Sequence, residues 1–155
     1  KPNDNWIFKG YYDFMSATDI DTPETFTTLS NFTLFAGYNV EDHFRIGAEY
    51  NILLNGETFS EPAADKNLQG LSFYSIYIIN NKWNVFGRFD QLSSNTLSGE
   101  NQDWNFSEDG DLYIIGFEYK PLKNINTSVN YRYSNFKDPS FNNASFIYFN
   151  LEFYF

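Results

Sequence analysis

The sequence has no cysteine, a single histidine and half as many basic as acidic residues, and each shortage excludes a class of protein. Without cysteine, neither a disulfide framework nor a thiolate metal site can form. Ten Lys and Arg residues against twenty Asp and Glu residues give a net charge of −10. Because phosphate binding requires clustered basic side chains, we expect no nucleic-acid partner.

Long apolar runs are also absent. No stretch approaches the roughly 20 apolar residues that a membrane-spanning helix requires, which excludes a helical membrane protein. Aromatic residues are nevertheless abundant, since 18 Phe, 12 Tyr and 3 Trp make up 21% of the chain. The mean hydropathy is negative all the same. This combination indicates a protein with one apolar surface and one polar surface.

Eight segments alternate between apolar and polar residues with the two-residue period of a β-strand. They are residues 5–15, 26–40, 43–53, 70–80, 82–91, 111–120, 124–133 and 145–155. Each is about ten residues long, the length that a tilted strand needs to cross a bilayer. We therefore predict an all-β fold in one domain over residues 1–155, with eight strands in this chain.

The connections between these segments alternate in length. Those after the second, fourth and sixth strands are short (VEDH, INNK and KPLKN), whereas the other four are long. Short turns on one rim and long loops on the other are typical of an antiparallel up-and-down transmembrane β-barrel in the bacterial outer membrane. We expect both termini on the periplasmic side and the long loops outside the cell.

Charged side chains occupy one face of the predicted strands, and large apolar side chains occupy the other. A soluble eight-stranded barrel has the same period with the faces reversed, but its interior is only just wide enough for side chains to fill it. The bulky face should therefore meet lipid, and the charged face should meet the lumen. The predicted lumen-facing charges are Lys9, Asp13, Arg45, Glu49, Arg88, Asp90, Glu118, Lys120, Arg132 and Glu152.

Two features of the strands complete this prediction. Tyr12, Tyr38, Tyr119 and Tyr133 lie near strand ends, where aromatic residues form girdles at the membrane interfaces. The segment 70–80 carries no charge, so its pattern does not indicate which face points inward.

The last ten residues, FIYFNLEFYF, alternate strictly and end on Phe155. They resemble the closing strand of bacterial outer-membrane barrels, in which terminal aromatic residues form a signal for the barrel-assembly machinery. The resemblance implies this role for Phe153 and Phe155. Within the same strand, Glu152 is expected to pair with one of the lumen-facing Arg or Lys residues.

The segments KWNVFGRFDQLSSN and NYRYSNF, together with the ending IYFNLEFYF, resemble the C-terminal part of phosphate-selective-type porins. This resemblance implies passive diffusion of small hydrophilic solutes and assembly into homo-oligomers. The sequence has no ladder of basic residues of the kind that a phosphate pore uses, so anion selectivity does not follow.

Two arrangements remain open. If eight strands close on themselves, the five acidic and five basic lumen-facing groups should form a packed ion-pair network, because unpaired buried charges are costly. The acidic loops would then serve binding, adhesion or membrane integrity. If the strands are the C-terminal half of a wider barrel, the same groups line water and set selectivity.

The excess negative charge belongs to the long loops. They contain twelve acidic residues and two lysines, a net charge of −10, while the rest of the chain has eight of each sign. Such a rim could attract divalent cations that bridge it to lipopolysaccharide, so lipid and lipopolysaccharide are the expected partners. Residues 19–21 and 107–111 place oxygen ligands close together, but neither matches an EF-hand loop. We predict no metal site and no cofactor.

Enzymatic function is not indicated. The only histidine, His43, lies in the short VEDHF turn and has no serine beside it in the sequence. A nucleophile requires an adjacent base, so no catalytic residue is predicted. His43 is expected to be a turn residue.

Overall fold

The computed structural model describes residues 5–15, 28–56, 67–95 and 108–154. These residues form eight strands: β1 (Trp6–Met15), β2 (Leu29–Val40), β3 (Phe44–Leu54), β4 (Leu68–Ile78), β5 (Trp83–Ser94), β6 (Gly110–Leu122), β7 (Ile125–Phe136) and β8 (Ala144–Phe153). All eight predicted strands are confirmed, although residues 26–27 and Phe155 lie outside the described residues. In the described ranges, no helix is long and apolar enough to span a membrane.

The strands form one sheet in which each pairs antiparallel with the next along the chain. The all-β, up-and-down architecture predicted from the sequence is therefore confirmed. Within the described part of the chain, β1 and β8 are the two edges of the sheet and make no contact with each other. The described sheet is thus open along its first and last strands.

Three short connections lie on one rim, which we call the short-turn rim. They occupy residues 41–43, 79–82 and 123–124. In the second of them, the side-chain oxygen of Asn80 accepts hydrogen bonds from the backbone N–H groups of Lys82 (2.9 Å) and Trp83 (3.1 Å). Such a side-chain bond to the next residues stabilises a tight turn. The opposite rim, here the long-loop rim, carries the connections after β1, β3, β5 and β7.

The register separates the side chains into two faces, since residues paired across strands lie on the same face. One face, the apolar face, includes the row Phe8, Ala36, Ala48, Phe73 and Phe89. No hydrophobic side chain among the described residues is buried, and on β8 Ile147 and Phe149 are 77% and 69% exposed. A surface this apolar requires an apolar environment around it.

The register also resolves the orientation of β4, which the sequence pattern left open. Tyr74 pairs with Gly47 on β3 and with Arg88 on β5, and therefore lies on the charged face. Phe73 pairs with Ala48 and Phe89 and lies on the apolar face.

The apolar face becomes polar near the long-loop rim, where Gln91, Asp111 and Asn135 lie in one row. Asp111 belongs to β6, where its carboxylate accepts a hydrogen bond from Gln91 (3.2 Å). From Trp83 to Phe89 the apolar part of β5 extends over six residue steps, or ~20 Å. At the ~40° tilt of strands in outer-membrane barrels, it covers ~15 Å of the ~25 Å height of the apolar band.

Candidate functional site

The register places the ten charges predicted from the sequence on one face of the sheet, which we call the charged face. They are Lys9 and Asp13 on β1, Arg45 and Glu49 on β3, Arg88 and Asp90 on β5, Glu118 and Lys120 on β6, Arg132 on β7 and Glu152 on β8. Opposite signs are spread over this face. The face is therefore neutral in sum and polar along most of its width.

Two ion pairs on the charged face each join residues of a single strand. The Arg88 Nε atom lies 2.8 Å from Asp90 Oδ2, and Lys120 Nζ lies 3.1 Å from Glu118 Oε1. Residues two apart in a strand share a face, which brings each pair together. Among the described residues, no ion pair joins two different strands.

Neutral polar side chains support these pairs from neighbouring strands. The Ser72 hydroxyl donates a hydrogen bond to Asp90, and Asn84 Nδ2 donates one to Glu118 (2.8 Å). The Arg88 and Lys120 side chains remain 53% and 47% exposed. Each carboxylate is therefore fixed by the sheet, while its basic partner projects away from it.

Two of the other basic side chains of this face, Lys9 and Arg132, contact aromatic rings. Lys9 Nζ lies 5.9 Å from the centroid of the Phe35 ring, and the Arg132 guanidinium carbon lies 4.4 Å from that of Tyr148. Arg132 also donates a hydrogen bond to Asn130 (3.0 Å). Both distances to the rings fall within the range of a cation–π interaction.

Glu152 does not pair with an Arg or Lys of the described residues, contrary to expectation. Its carboxylate accepts hydrogen bonds from the Tyr154 hydroxyl (2.7 Å) and from Asn126 Nδ2 (3.5 Å). Tyr154 lies beyond the end of β8, and its bond to the Glu152 carboxylate raises the pKa of the Tyr154 phenol. The prediction of an ion pair was wrong because Tyr154 and Asn126, at the same short-turn rim as Glu152, supply its hydrogen-bond donors.

Aromatic rings on the charged face lie over glycines of the neighbouring strand. A Cβ atom at Gly47 would be 2.4 Å from the ring of Tyr74, and one at Gly116 would be 2.5 Å from that of Phe86. Both glycines are buried. Only a residue without a side chain permits such a close approach. The sequence pattern did not predict this arrangement of ring and glycine. The signal for it is a glycine on the charged face of one strand beside an aromatic residue on the same face of the next strand.

A groove of ≈ 610 Å³ lies on the charged face near the short-turn rim. Its charged lining consists of three basic residues (Arg45, Arg88 and Lys120) and three acidic residues (Asp42, Glu118 and Glu152). Tyr74, Phe86, Asn84 and Asn126 also line it. The groove therefore combines balanced charge, amide groups and aromatic rings.

At the long-loop rim, Asp109 is fully buried. Its carboxylate accepts hydrogen bonds from the backbone N–H and the hydroxyl of Ser94 (both 2.7 Å), and its backbone carbonyl accepts one from Lys137 N–H (2.8 Å). The next residue, Gly110, has a φ of +153°, which favours glycine. Asp109 thus joins the ends of β5, β6 and β7 rather than acting as a solvated loop charge.

The weaker candidate sites are the acidic segments 19–21 and 107–111 and the single histidine, His43. In the described part of the chain, no three histidine or carboxylate side chains gather closely enough to hold a metal. Residues 19–21 and Ser107 of the segment 107–111 lie outside the described residues. His43 is the last residue of its short turn, and its Nδ1 atom lies 2.8 Å from the backbone oxygen of Glu41.

Comparison with known proteins agrees with this architecture. Residues 6–155 match the family described as "Outer membrane protein beta-barrel domain". The chain belongs to this family. Membership confirms the predicted outer-membrane location and barrel fold, while the resemblance to phosphate-selective-type porins is not confirmed by it. No curated protein and no solved structure matches the chain.

One of the two terminal aromatic residues that are expected to form the assembly signal lies among the described residues. Phe153 is the last residue of β8, lies on the apolar face and is 53% exposed. Phe155 lies outside the described residues. Their role in recognition by the assembly machinery stays a prediction.

Proposed function

We propose that the eight strands are one section of a barrel with more than eight strands, which lets small hydrophilic solutes diffuse passively across the outer membrane. The observation that carries this proposal is the open sheet, in which β1 and β8 make no contact. The charged face then lines a water-filled pore, and the apolar face meets lipid.

The bilayer supplies the physical reason. Hydrocarbon offers no hydrogen-bond partners, so every strand edge inside a membrane must be paired. Here β1 and β8 each leave an edge of ten residues. Further strands of the same protein, placed between these two edges, would pair both of them and widen the lumen.

The ion pairs support a wet lumen. A closed eight-stranded barrel should hold its charges in contacts that cross the lumen, because its interior is filled by side chains. The two observed pairs instead run along single strands and leave Arg88 and Lys120 about half exposed. Such pairs suit charges that water also solvates.

The short-turn rim is proposed to face the periplasm, with both termini, and the long-loop rim to face outward. The acidic long loops would then meet lipopolysaccharide through bridging divalent cations. Passive diffusion involves no catalytic residue. The same proposal includes assembly into homo-oligomers, which the porin resemblance implies.

A second arrangement is favoured by one specific observation. Lys9 on β1 and Glu152 on β8 both lie on the charged face of an edge strand, and neither has an oppositely charged partner among the described residues. A register that places them opposite each other would join nearly the full length of both strands. The result would be a closed eight-stranded barrel with a packed lumen, whose acidic loops serve binding, adhesion or membrane integrity.

Channel recording on the native protein, purified from outer membranes, tests the proposal. A wide barrel should give stable steps of conductance in planar bilayers, and vesicles containing it should swell in solutions of small sugars. A protein that inserts fully but gives neither conductance nor swelling would exclude the pore and favour the closed barrel.

A further inference from the structure

We infer that the groove near the short-turn rim binds uncharged, hydroxyl-rich solutes of the saccharide class. This inference rests on the proposed pore, since the groove is reached from the lumen. It adds a solute class and a binding site to the general diffusion proposed above. Three features of the groove carry it: aromatic rings close against the sheet, hydrogen-bonding groups of both kinds and balanced charge.

The aromatic rings lie close against the sheet because glycines leave room for them. Ring atoms of Tyr74 fill the space over Gly47, and the tip of the Phe86 ring fills the space over Gly116. Phe35 extends this surface, since its ring is 5° from parallel with that of Tyr74 and their centroids are 6.1 Å apart. Tyr74 remains 37% exposed. The C–H face of a pyranose ring packs on a flat aromatic surface of this kind.

Hydrogen-bonding groups surround the rings. Asn84 and Glu118 are bonded to each other (2.8 Å), and Lys120 adds a donor 3.1 Å from the same carboxylate. Arg88 borders Tyr74, with which it is paired across the strands. Sugar hydroxyls both donate and accept hydrogen bonds, and amide, carboxylate and guanidinium groups at the edge of an apolar surface satisfy both capacities.

The charge balance selects against ions. The groove has three basic and three acidic residues, and two of the basic side chains are already in ion pairs. A phosphate site would require an excess of basic groups and a cation site an excess of acidic ones. A neutral solute gains hydrogen bonds here without losing the hydration of a charge.

The test measures binding directly, by titration calorimetry of a linear glucose hexamer into the native protein in detergent. We expect saturable binding that Tyr74→Ala weakens about tenfold, the effect of losing one stacked ring. Tyr11→Ala is the matched control, because Tyr11 lies on the charged face of β1 but outside the groove. If Tyr74→Ala does not fold, Asn84→Ala carries the same test and should also weaken binding.

Each outcome supports or overturns the inference. Binding that Tyr74→Ala or Asn84→Ala weakens, and Tyr11→Ala does not, supports it. Absence of hexamer binding, equal effects of the groove variants and the control, or tighter binding of inorganic phosphate than of the hexamer overturns it. Conductance without hexamer binding would overturn the inference and leave the pore intact, whereas binding without conductance would overturn the pore alone.

Discussion

The ring of Tyr74 on β4 occupies the space that a side chain at Gly47 on β3 would need. A Cβ atom at Gly47 would lie 2.4 Å from a ring carbon and 2.8 Å from the hydroxyl oxygen of Tyr74. The close contact arises because Tyr74 and Gly47 are paired directly across the strands. Such aromatic–glycine pairs are known to stabilise sheets. This pairing lets the ring lie close against the charged face.

Gly47→Ala should therefore destabilise the protein. The added methyl group must displace the Tyr74 ring, and overpacking of this kind costs about 1–3 kcal/mol. The measurement is urea unfolding of the refolded protein in lipid vesicles. Gly70→Ala is the control, because a Cβ atom at Gly70 would meet only Asn51 at 3.7 Å, an ordinary contact. Equal stability of the two variants would show that the ring does not depend on the glycine.

Two adjacent isoleucines test which face meets lipid. Ile115 lies on the apolar face of β6 and is 58% exposed, whereas Ile114 pairs with Arg88 and Arg132 on the charged face. A lysine facing lipid near the middle of the bilayer costs ~2–4 kcal/mol. We expect Ile115→Lys to lose that much unfolding free energy, and Ile114→Lys to lose much less. The same unfolding assay measures both, and a larger loss for Ile114→Lys would reverse the assignment of the faces.

Arg88→Ala should make the pore more selective for cations. The variant leaves Asp90 without its basic partner on a face that is otherwise balanced. A unit charge acting across about 7 Å of water changes the energies of K⁺ and Cl⁻ by ~0.6 kcal/mol in opposite directions. The difference of ~1.2 kcal/mol predicts a roughly sevenfold rise in the K⁺/Cl⁻ permeability ratio. Reversal potentials in a KCl gradient measure this ratio.

Lys82→Ala provides the control for that change, because it removes the same charge from a short turn rather than from the charged face. It should leave the ratio nearly unchanged. An equal shift of the permeability ratio in both variants would mean that the effect comes from net charge alone. If Arg88→Ala lost stability but kept its selectivity, that result would count against a pore.

Much of the fold could be predicted from the sequence, because the two-residue alternation of charge and bulk fixes both the strands and their faces. Lys9 with Asp13, and Arg45 with Glu49, were assigned to the charged face in this way. The pattern left the orientation of β4 open, because its few polar side chains lie on both faces: Gln69 and Ser75 on the apolar face and Ser72 on the charged face. Only the pairing of Tyr74 with Gly47 and Arg88 reveals the orientation.

Partners on the charged face were harder to predict, because they depend on register and on the rims. The Glu152 carboxylate binds Tyr154 and Asn126 rather than a basic residue, since these donors lie at the same end of the sheet. The burial of Asp109 likewise depends on Ser94 and on the backbone of Lys137, which lie 15 or more positions away in the sequence.

The most direct test of the central claim, that the eight strands do not close on themselves, uses disulfide formation. The chain has no cysteine, so introduced pairs give an unambiguous signal. Lys9→Cys would be combined in turn with Asn150→Cys, Glu152→Cys and Tyr154→Cys, which cover the neighbouring registers of a β1–β8 seam. Ser128→Cys with Asn150→Cys is the positive control, because these positions pair directly across β7 and β8.

The cysteine variants are oxidised in outer membranes and examined on non-reducing gels. The control pair should form an intramolecular disulfide, and none of the seam pairs should. That result would show that other strands lie between β1 and β8. An intramolecular disulfide from any seam pair, formed as completely as the control, would contradict the wide barrel and establish a closed barrel of eight strands.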